Sequence, residues 1–157
     1  MPANDEHVEE AMYDDDLIPV DIVPSPSTRP SPGAPVVLVV DDDPKLRTAL
    51  VRALGSTFTI YEAGDGQEAK AIIDVIAAPD AIVCDVSMPR VDGLTFAKSM
   101  RETARLRHIP ILFLTARSSS VDVVAGINAG ARHYLTKPFN VHELARKVAD
   151  MAKRGKR

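Results

Sequence analysis

Charged and hydroxyl side chains stand directly after several short apolar runs of this sequence. The runs are VVLVV, AIVC, ILFL and HYLT, and the residues that follow them are Asp41, Asp42, Asp43, Asp85, Thr115 and Lys137. Carboxylates gathered at one place repel one another, so at least one would keep its proton near neutral pH. A hard divalent cation removes this conflict. Mg²⁺ binds one or two carboxylates, keeps several waters and readily takes phosphate oxygens as further ligands.

An acid cluster with one lysine and one hydroxyl is suited to moving a phosphoryl group. Lys137 can pair with a phosphate oxygen, Thr115 can donate a hydrogen bond, and a carboxylate can be the nucleophile that forms an aspartyl phosphate. The plainer interpretation of a DDD run is a solvated turn or helix cap, which we expect for Asp43. Asp41 and Asp42 follow a buried strand, which favours a metal site, and Asp85 closes an apolar strand, where a carboxylate needs a partner.

Apolar periodicity predicts the elements that position these side chains. Strands are expected over 36–40, 57–63, 81–84, 111–114 and 133–136. The first helix begins after Asp43-Pro44 and ends at Gly55, which are typical capping residues. Asp65 and Glu68 resemble a capping box for a second helix through Ile76. Further helices are expected over 92–101, 119–128 and 141–153.

Five strands and five helices in strict alternation predict an α/β fold with a doubly wound parallel sheet. In such sheets, ligands bind beyond the carboxyl ends of the strands, where the winding direction reverses. If the first, third, fourth and fifth strands lie side by side, the acidic residues, Thr115 and Lys137 meet at one edge. The sheet therefore supplies the convergence that the chemistry requires.

Length and composition indicate one ordinary globular domain. The chain has 157 residues, of which 45% are hydrophobic and 26% charged, and no apolar run approaches the roughly 20 residues of a membrane span. The N-terminus lacks the basic flank and apolar stretch of a secretory signal. Cys84, the single cysteine, cannot form an internal disulfide and is expected to be a buried small hydrophobe. A cytoplasmic protein is the expectation.

The net charge of −3 is distributed unevenly, because residues 1–35 contain eight acidic residues and one arginine. Seven of the twelve prolines also fall there, so residues 1–35 are expected to be an acidic, Pro-rich, disordered or extended N-terminal extension. Its one apolar cluster, LIPVDIV over 17–23, is either plain tail or a peptide that docks on a partner. Residues 154–157 are expected to be a basic, solvated tail. Residues 36–157 carry a mild net positive charge, which does not indicate nucleic-acid binding.

Four fragments in order carry a family resemblance: VLVVDDDPKLR, IVCDVSMPRVDG, ILFLTAR and AGARHYLTKPF. They resemble the receiver domain of bacterial two-component response regulators, of the single-domain, chemotaxis-regulator-like type, over about residues 36–153. The resemblance implies a flavodoxin-like sheet of strand order 2-1-3-4-5. It also implies that Asp85 is the phosphoacceptor and that Mg²⁺ is bound by Asp42, Asp85 and the backbone carbonyl of Ser87, with Asp41 supporting the water shell of the metal.

By the same resemblance, Thr115 and Lys137 would hold phosphoryl oxygens, and Tyr134 would be an aromatic switch that turns inward as the Thr115 hydroxyl moves. The Lys137–Pro138 bond would be cis, which is uncommon for an ordinary X–Pro bond. Ser87 and Arg117 occupy positions that tune phosphoryl lifetime. We hypothesise that Arg117 alters dephosphorylation; the alternative is a solvated arginine.

The resemblance also implies partners. The phosphoryl donor would be a phosphohistidine on a sensor histidine kinase or a histidine phosphotransfer protein. The output would run through protein contacts on the surface of the helix over 119–128, the fifth strand and the helix over 141–153, with a phosphorylation-dependent homodimer as one form. No nucleic acid and no membrane span are expected.

An enzyme and a binding module are the two other classes of function. Flavodoxins need a phosphate-cradling loop where this chain has DDDPK, and haloacid-dehalogenase phosphatases place a second aspartate where it has Ser87. An enzyme is therefore not expected beyond self-catalysed phosphorylation and hydrolysis at Asp85. The remaining alternative is a pseudo-receiver, a binding module that keeps the fold and acts without phosphorylation.

Overall fold

The computed structural model describes residues 24–86, 88, 92–116 and 133–155. Several predictions fall outside these residues and have no structural account here. They concern the apolar cluster over 17–23, Ser87, Arg117, the helix over 119–128 and the end of the basic tail. Among the residues that are described, no helix combines the length and apolar character needed to cross a bilayer.

Five parallel strands form a single sheet in the order β2-β1-β3-β4-β5, which confirms the predicted α/β class and strand order. Their bounds are β1 Val36–Val40, β2 Thr59–Ala63, β3 Ala81–Asp85, β4 Ile111–Ala116 and β5 His133–Lys137. The last three strands extend one or two residues beyond the predicted ends. Asp85, Thr115 and Lys137 therefore lie within the ladder, where backbone pairing fixes their positions.

Four helices lie within the described residues: α1 Pro44–Leu54, α2 Gly66–Val75, α3 Gly93–Arg101 and α4 Val141–Gly155. Asp43 and Asp65 cap α1 and α2, as predicted, by accepting the backbone N–H of Lys45 and Glu68. The capping box differs in one bond. The Glu68 carboxylate accepts the N–H of Gly64 at 3.2 Å, one residue before the predicted partner.

Helices cover both faces of the sheet and form two hydrophobic clusters. One cluster packs α1 and α4 against the sheet face that carries Val37, Val39 and Val83. The other packs α2 and α3 against the face that carries Leu38 and Ile82. Burial on both faces explains why the strands are continuous apolar runs rather than alternating ones.

The stretch Pro24–Pro35, which was expected to be extended or disordered, makes specific contacts with the sheet. Thr28 forms an antiparallel bridge with Ile60 on β2, and the Ser27 N–H donates to the Ile60 carbonyl at 2.6 Å. The physical reason is that β2 is the edge strand of the sheet, and its outer backbone groups are open to another extended segment. Proline content and charge do not reveal such a partner.

Candidate functional site

The strand register brings the predicted residues to the same end of the sheet. Val40 pairs with Cys84, so Asp41 and Asp85, the next residue of each chain segment, are neighbours. Asp85 pairs with Leu114, which precedes Thr115, and Ala116 pairs with Lys137. The convergence predicted from the sequence is therefore present in the fold.

Alternation along the strands divides these side chains between the two faces. Val39, Val83 and Leu135 belong to the cluster under α1 and α4. Because side chains two residues apart share a face, the residues that follow them by two, Asp41, Asp85 and Lys137, lie on that side. Phe113 and Tyr134 belong to the other cluster, and Thr115 follows Phe113 by two. Asp41, Asp85 and Lys137 thus lie on one face of the sheet, and Thr115 and Tyr134 lie on the other.

Among the described residues, Lys137 forms ion pairs with two of these carboxylates. Its Nζ lies 3.4 Å from Asp85 Oδ2 and 3.9 Å from Asp41 Oδ2. The lysine side chain is 33% exposed, whereas those of Asp85 and Asp41 are 10% and 0% exposed, so the ammonium caps a largely buried acidic pair. The Lys137–Pro138 peptide bond is cis, as predicted.

Asp41, Asp42 and Asp85 form a group that fits a metal ion. One carboxylate oxygen from each lies within 4.8 Å of those of the others. Asp41 Oδ1 accepts the N–H of Asp43 at 2.9 Å, while Asp41 Oδ2 is buried and has no hydrogen-bond partner among the described residues. A buried acceptor without a hydrogen bond is costly. An oxygen-only donor set is the type that hard divalent cations prefer.

Burial is the main reason that the pKa of Asp41 is raised from 3.8 to about 6. The N–H of Asp43 opposes this shift, the charge of Asp85 adds to it, and Lys137 opposes it again. The pocket therefore disfavours a full set of ionised carboxylates. A bound divalent cation would favour the ionised form, as the sequence argument anticipates.

The hydroxyl and aromatic residues lie on β4 and β5. Thr115 is buried at 2% exposure. Tyr134 is half-buried, and its ring stacks on Phe113 with centroids 5.9 Å apart and an interplanar angle of 24°. Burial raises the pKa of the Tyr134 hydroxyl, so the neutral phenol is the form present at physiological pH. The proposed roles of Thr115 and Tyr134 remain predictions.

Gly93 is a site residue that the sequence argument did not single out. It begins α3, its N–H donates to the Val86 carbonyl at 3.0 Å, and a Cβ there would overlap the Asp85 carbonyl oxygen. Only a residue without a side chain allows α3 to begin this close to the acceptor strand. The available signal was the pair Asp92-Gly93, a capping residue followed by glycine.

Arg47 is a second residue beside the acidic site that the sequence argument did not single out. Its Nη1 donates to the Asp41 carbonyl at 2.6 Å, and its Nε donates to Glu62 Oε1 at 3.2 Å. The signal was its position one turn into the helix that follows the acid run. Cys84 is fully buried, as predicted, and burial raises the pKa of its thiol.

Residues 37–149 match the family model described as the response regulator receiver domain. The chain is 45% identical over 121 residues to the response regulator MprA of Mycolicibacterium vanbaalenii, covering 75% of this chain and 50% of that protein. The chain thus spans about half the length of the curated relatives it matches.

Solved structures show the same likeness. The Francisella response regulator 1452 receiver domain is 34% identical with a TM-score of 0.69, covering 76% of this chain and 98% of that one. The Vibrio cholerae chemotaxis response regulator CheY4 is 32% identical with a TM-score of 0.69, covering 75% and 98%.

Proposed function

Because the chain belongs to the response regulator receiver domain family of two-component systems, we propose that it is a phosphoryl-accepting switch with Asp85 as the acceptor and Mg²⁺ as the cofactor. The observation that supports this most strongly is the juxtaposition at the acidic site. Lys137 lies 3.4 Å from Asp85, beside an Asp41 oxygen that is buried without a hydrogen bond.

In the proposed reaction, an Asp85 carboxylate oxygen attacks the phosphorus of a phosphohistidine. The new O–P bond forms as the P–N bond breaks, and the imidazole leaves with the electron pair. Lys137 pairs with a phosphoryl oxygen, and Thr115 donates a hydrogen bond to another. Asp42, Asp85 and the Ser87 carbonyl would hold Mg²⁺, with Asp41 supporting its waters, and the ion would neutralise charge on the phosphoryl oxygens.

The proposed output is a change in protein contacts rather than turnover of a separate substrate. Thr115 and Tyr134 share a sheet face, which is the placement that a coupled hydroxyl and ring movement requires. Phosphorylation would bias a two-state equilibrium toward the form that binds a downstream protein. The donor would be a sensor histidine kinase or phosphotransfer protein, and the reaction would take place in the cytoplasm.

The test is to incubate the protein with Mg²⁺ and acetyl phosphate or beryllofluoride, and to record intact mass and amide NMR shifts. We expect a phosphoryl adduct with acetyl phosphate, and beryllofluoride-induced shifts near Asp85, Thr115 and Tyr134, in the wild type and in Asp92→Asn, a change at an exposed capping residue. Asp85→Asn should give neither. A folded wild type that gives neither would favour the pseudo-receiver, which acts unphosphorylated.

The proposed tuning role of Arg117 has its own test. A guanidinium two residues past Thr115 can contact the phosphoryl group or screen it from attacking water. We expect Arg117→Ala to change the decay rate of the phosphorylated protein, followed by loss of the mass adduct, while Arg101→Ala, remote on α3, leaves the rate unchanged. An equal decay rate in Arg117→Ala would show that the arginine is only solvated.

A further inference from the structure

The segment Pro24–Pro35 occupies the outer edge of β2 through a set of directed hydrogen bonds. The Ile60 N–H donates to the Thr28 carbonyl at 3.2 Å, and the Ile60 carbonyl accepts the Ser27 N–H at 2.6 Å. The Thr28 hydroxyl donates to the Phe58 carbonyl at 2.7 Å. Both backbone groups of Ile60 are thus paired with the segment, as in strand addition at a sheet edge.

A turn then leads the segment back into the sheet. The Ala34 N–H donates to the Ser31 carbonyl at 3.1 Å, with Pro32 and Gly33 as the central residues. Gly33 has φ +84°, which is the conformation expected after proline in a type II turn. The Pro35 carbonyl then accepts the Thr59 N–H at 2.9 Å. Pro35 directly precedes β1, which pairs with the inner side of β2, so the turn carries the chain from the outer edge of β2 to the strand on its other side.

A chain of side-chain contacts connects this segment to the acidic site. The Ser27 hydroxyl donates to Glu62 Oε2, and Glu62 Oε1 accepts Arg47 Nε at 3.2 Å. Arg47 Nη1 donates to the Asp41 carbonyl at 2.6 Å. The arginine and glutamate side chains are only 23% and 31% exposed. Two residues, Glu62 and Arg47, therefore join the N-terminal segment to a member of the proposed metal site.

Glu62 determines where the charge of Arg47 points. The guanidinium already contacts the backbone of Asp41, so the neighbouring carboxylates of Asp41 and Asp42 are the next anions it would attract. Glu62 accepts the Arg47 Nε, and Ser27 donates to Glu62, so both residues restrain the guanidinium. Releasing the arginine would let a protein cation compete for oxygens that a metal ion needs.

We propose that the N-terminal segment is an intramolecular regulator of the acidic site, and that it strengthens cation binding by fixing Arg47 through Ser27 and Glu62. Arg47 is a positioning residue in this scheme. The inference rests on the proposed function, because it concerns the cation that the acidic site is proposed to bind. Thermodynamic linkage requires the converse as well, so that cation binding tightens the docking of the segment on β2.

The experiment measures the Mg²⁺ dissociation constant of the full chain by calorimetry. Ser27→Ala removes one hydrogen bond without changing charge, and we expect it to weaken Mg²⁺ binding about threefold. Glu62→Gln should weaken it further. Ser31→Ala is the matched control, because the hydroxyl of Ser31 makes no hydrogen bond among the described residues, and it should bind Mg²⁺ as the wild type does.

A double-mutant cycle isolates the route through Arg47. In an Arg47→Gln background, Ser27→Ala should have no further effect on Mg²⁺ affinity, because no guanidinium remains to be released. A threefold loss that persists in this background would overturn the proposal, since the effect would not pass through Arg47. Unchanged affinity in Ser27→Ala with the wild-type arginine present would also overturn it.

Amide hydrogen exchange supplies a readout of docking itself. The Ile60 N–H, bonded to Thr28, should exchange more slowly at saturating Mg²⁺ in the wild type and show no such Mg²⁺ effect in Arg47→Gln. If the wild type binds no Mg²⁺, the proposed function and this inference fail together. If it binds Mg²⁺ but Ile60 exchange does not respond, only the inference fails.

Discussion

Asp41 combines complete burial with an incomplete set of hydrogen bonds. One carboxylate oxygen is held by the Asp43 N–H, and the other has no hydrogen-bond partner in the described part of the chain. Lys137 Nζ lies 3.9 Å from that second oxygen, which is too far for a hydrogen bond but close enough for electrostatic attraction. Burial without a metal destabilises the ionised carboxylate, and the pKa of Asp41 therefore rises to about 6.

This raised pKa predicts a pH-dependent stability difference between the metal-free wild type and Asp41→Asn. The folded state favours the protonated acid, so the wild type loses stability relative to the variant as pH rises from about 4 to about 6, and the deficit stays constant above that window. The shift sets an upper limit of about 3 kcal/mol. Chemical unfolding at pH 4, 5, 6 and 7 measures the difference, and a constant difference would contradict the assignment.

The close approach of α3 to β3 at Gly93 predicts that one added methyl group destabilises the fold next to the acceptor residue. Gly93→Ala places a Cβ against the Asp85 carbonyl oxygen and 3.1 Å from Cys84 Sγ, so α3 or β3 must shift. We expect a loss of about 1–3 kcal/mol in unfolding free energy and slower phosphorylation by acetyl phosphate. Gly64→Ala is the control, because the nearest atoms to a Cβ there lie at 3.5 and 3.6 Å. Equal stability of the two variants would contradict the close approach.

At the scale of the elements, aspartate side chains begin three of the four described helices at the functional edge of the sheet. Asp43, Asp65 and Asp92 accept backbone N–H groups of α1, α2 and α3. Each satisfies a donor that the first turn of a helix leaves unpaired. The residues after β1, β2 and β3 thus fix the helix starts that follow the carboxyl ends of these strands.

Removing the Asp92 cap of α3 should lower the free energy of unfolding of the domain. Asp92→Ala loses the 2.8 Å bond from the Thr95 N–H, and we expect a cost of about 1 kcal/mol. Asp92→Asn retains an acceptor and should stay within a few tenths of a kcal/mol of the wild type. Urea unfolding compares the two variants. An equal loss in both would indicate that the charge of Asp92, rather than its hydrogen bond, matters.

At the scale of the whole molecule, the sheet separates two hydrophobic clusters, and α4 closes one of them. Leu144, Val148 and Met151 face this cluster along one side of the helix, while Val141, on the same helix, is 41% exposed. Because α4 follows β5, its packing also determines how the strand that carries Lys137 is supported. Global stability and the geometry of the site are therefore connected through this helix.

This arrangement predicts a large contrast between two substitutions on one helix. Leu144→Ala creates a cavity under α4 and should cost about 2–5 kcal/mol. Val141→Ala alters an exposed side chain and should change the free energy of unfolding by about 0.5 kcal/mol or less. Both are measured by urea unfolding with an unchanged slope. A small effect of Leu144→Ala would mean that α4 does not close the cluster.

The sequence by itself determined the order of the elements and most of the site. Continuous β-branched runs predict strands buried on both faces, and Asp43-Pro44 predicts a helix start, because these signals are local. The placement of Asp41, Asp85, Thr115 and Lys137 at strand ends follows from the same pattern. The family resemblance supplied the cis bond before Pro138, which no local pattern could have predicted.

The tertiary structure decided the contacts between segments that are distant in the chain. The pairing of Ser27 and Thr28 with β2 depends on which strand forms the edge of the sheet, and that depends on the order of all five strands. The overlap of Gly93 with the Asp85 carbonyl, and the route from Ser27 through Glu62 and Arg47 to Asp41, likewise exist only after packing. Local propensity acts over a few residues, whereas these distances are set by the assembled sheet and its helices.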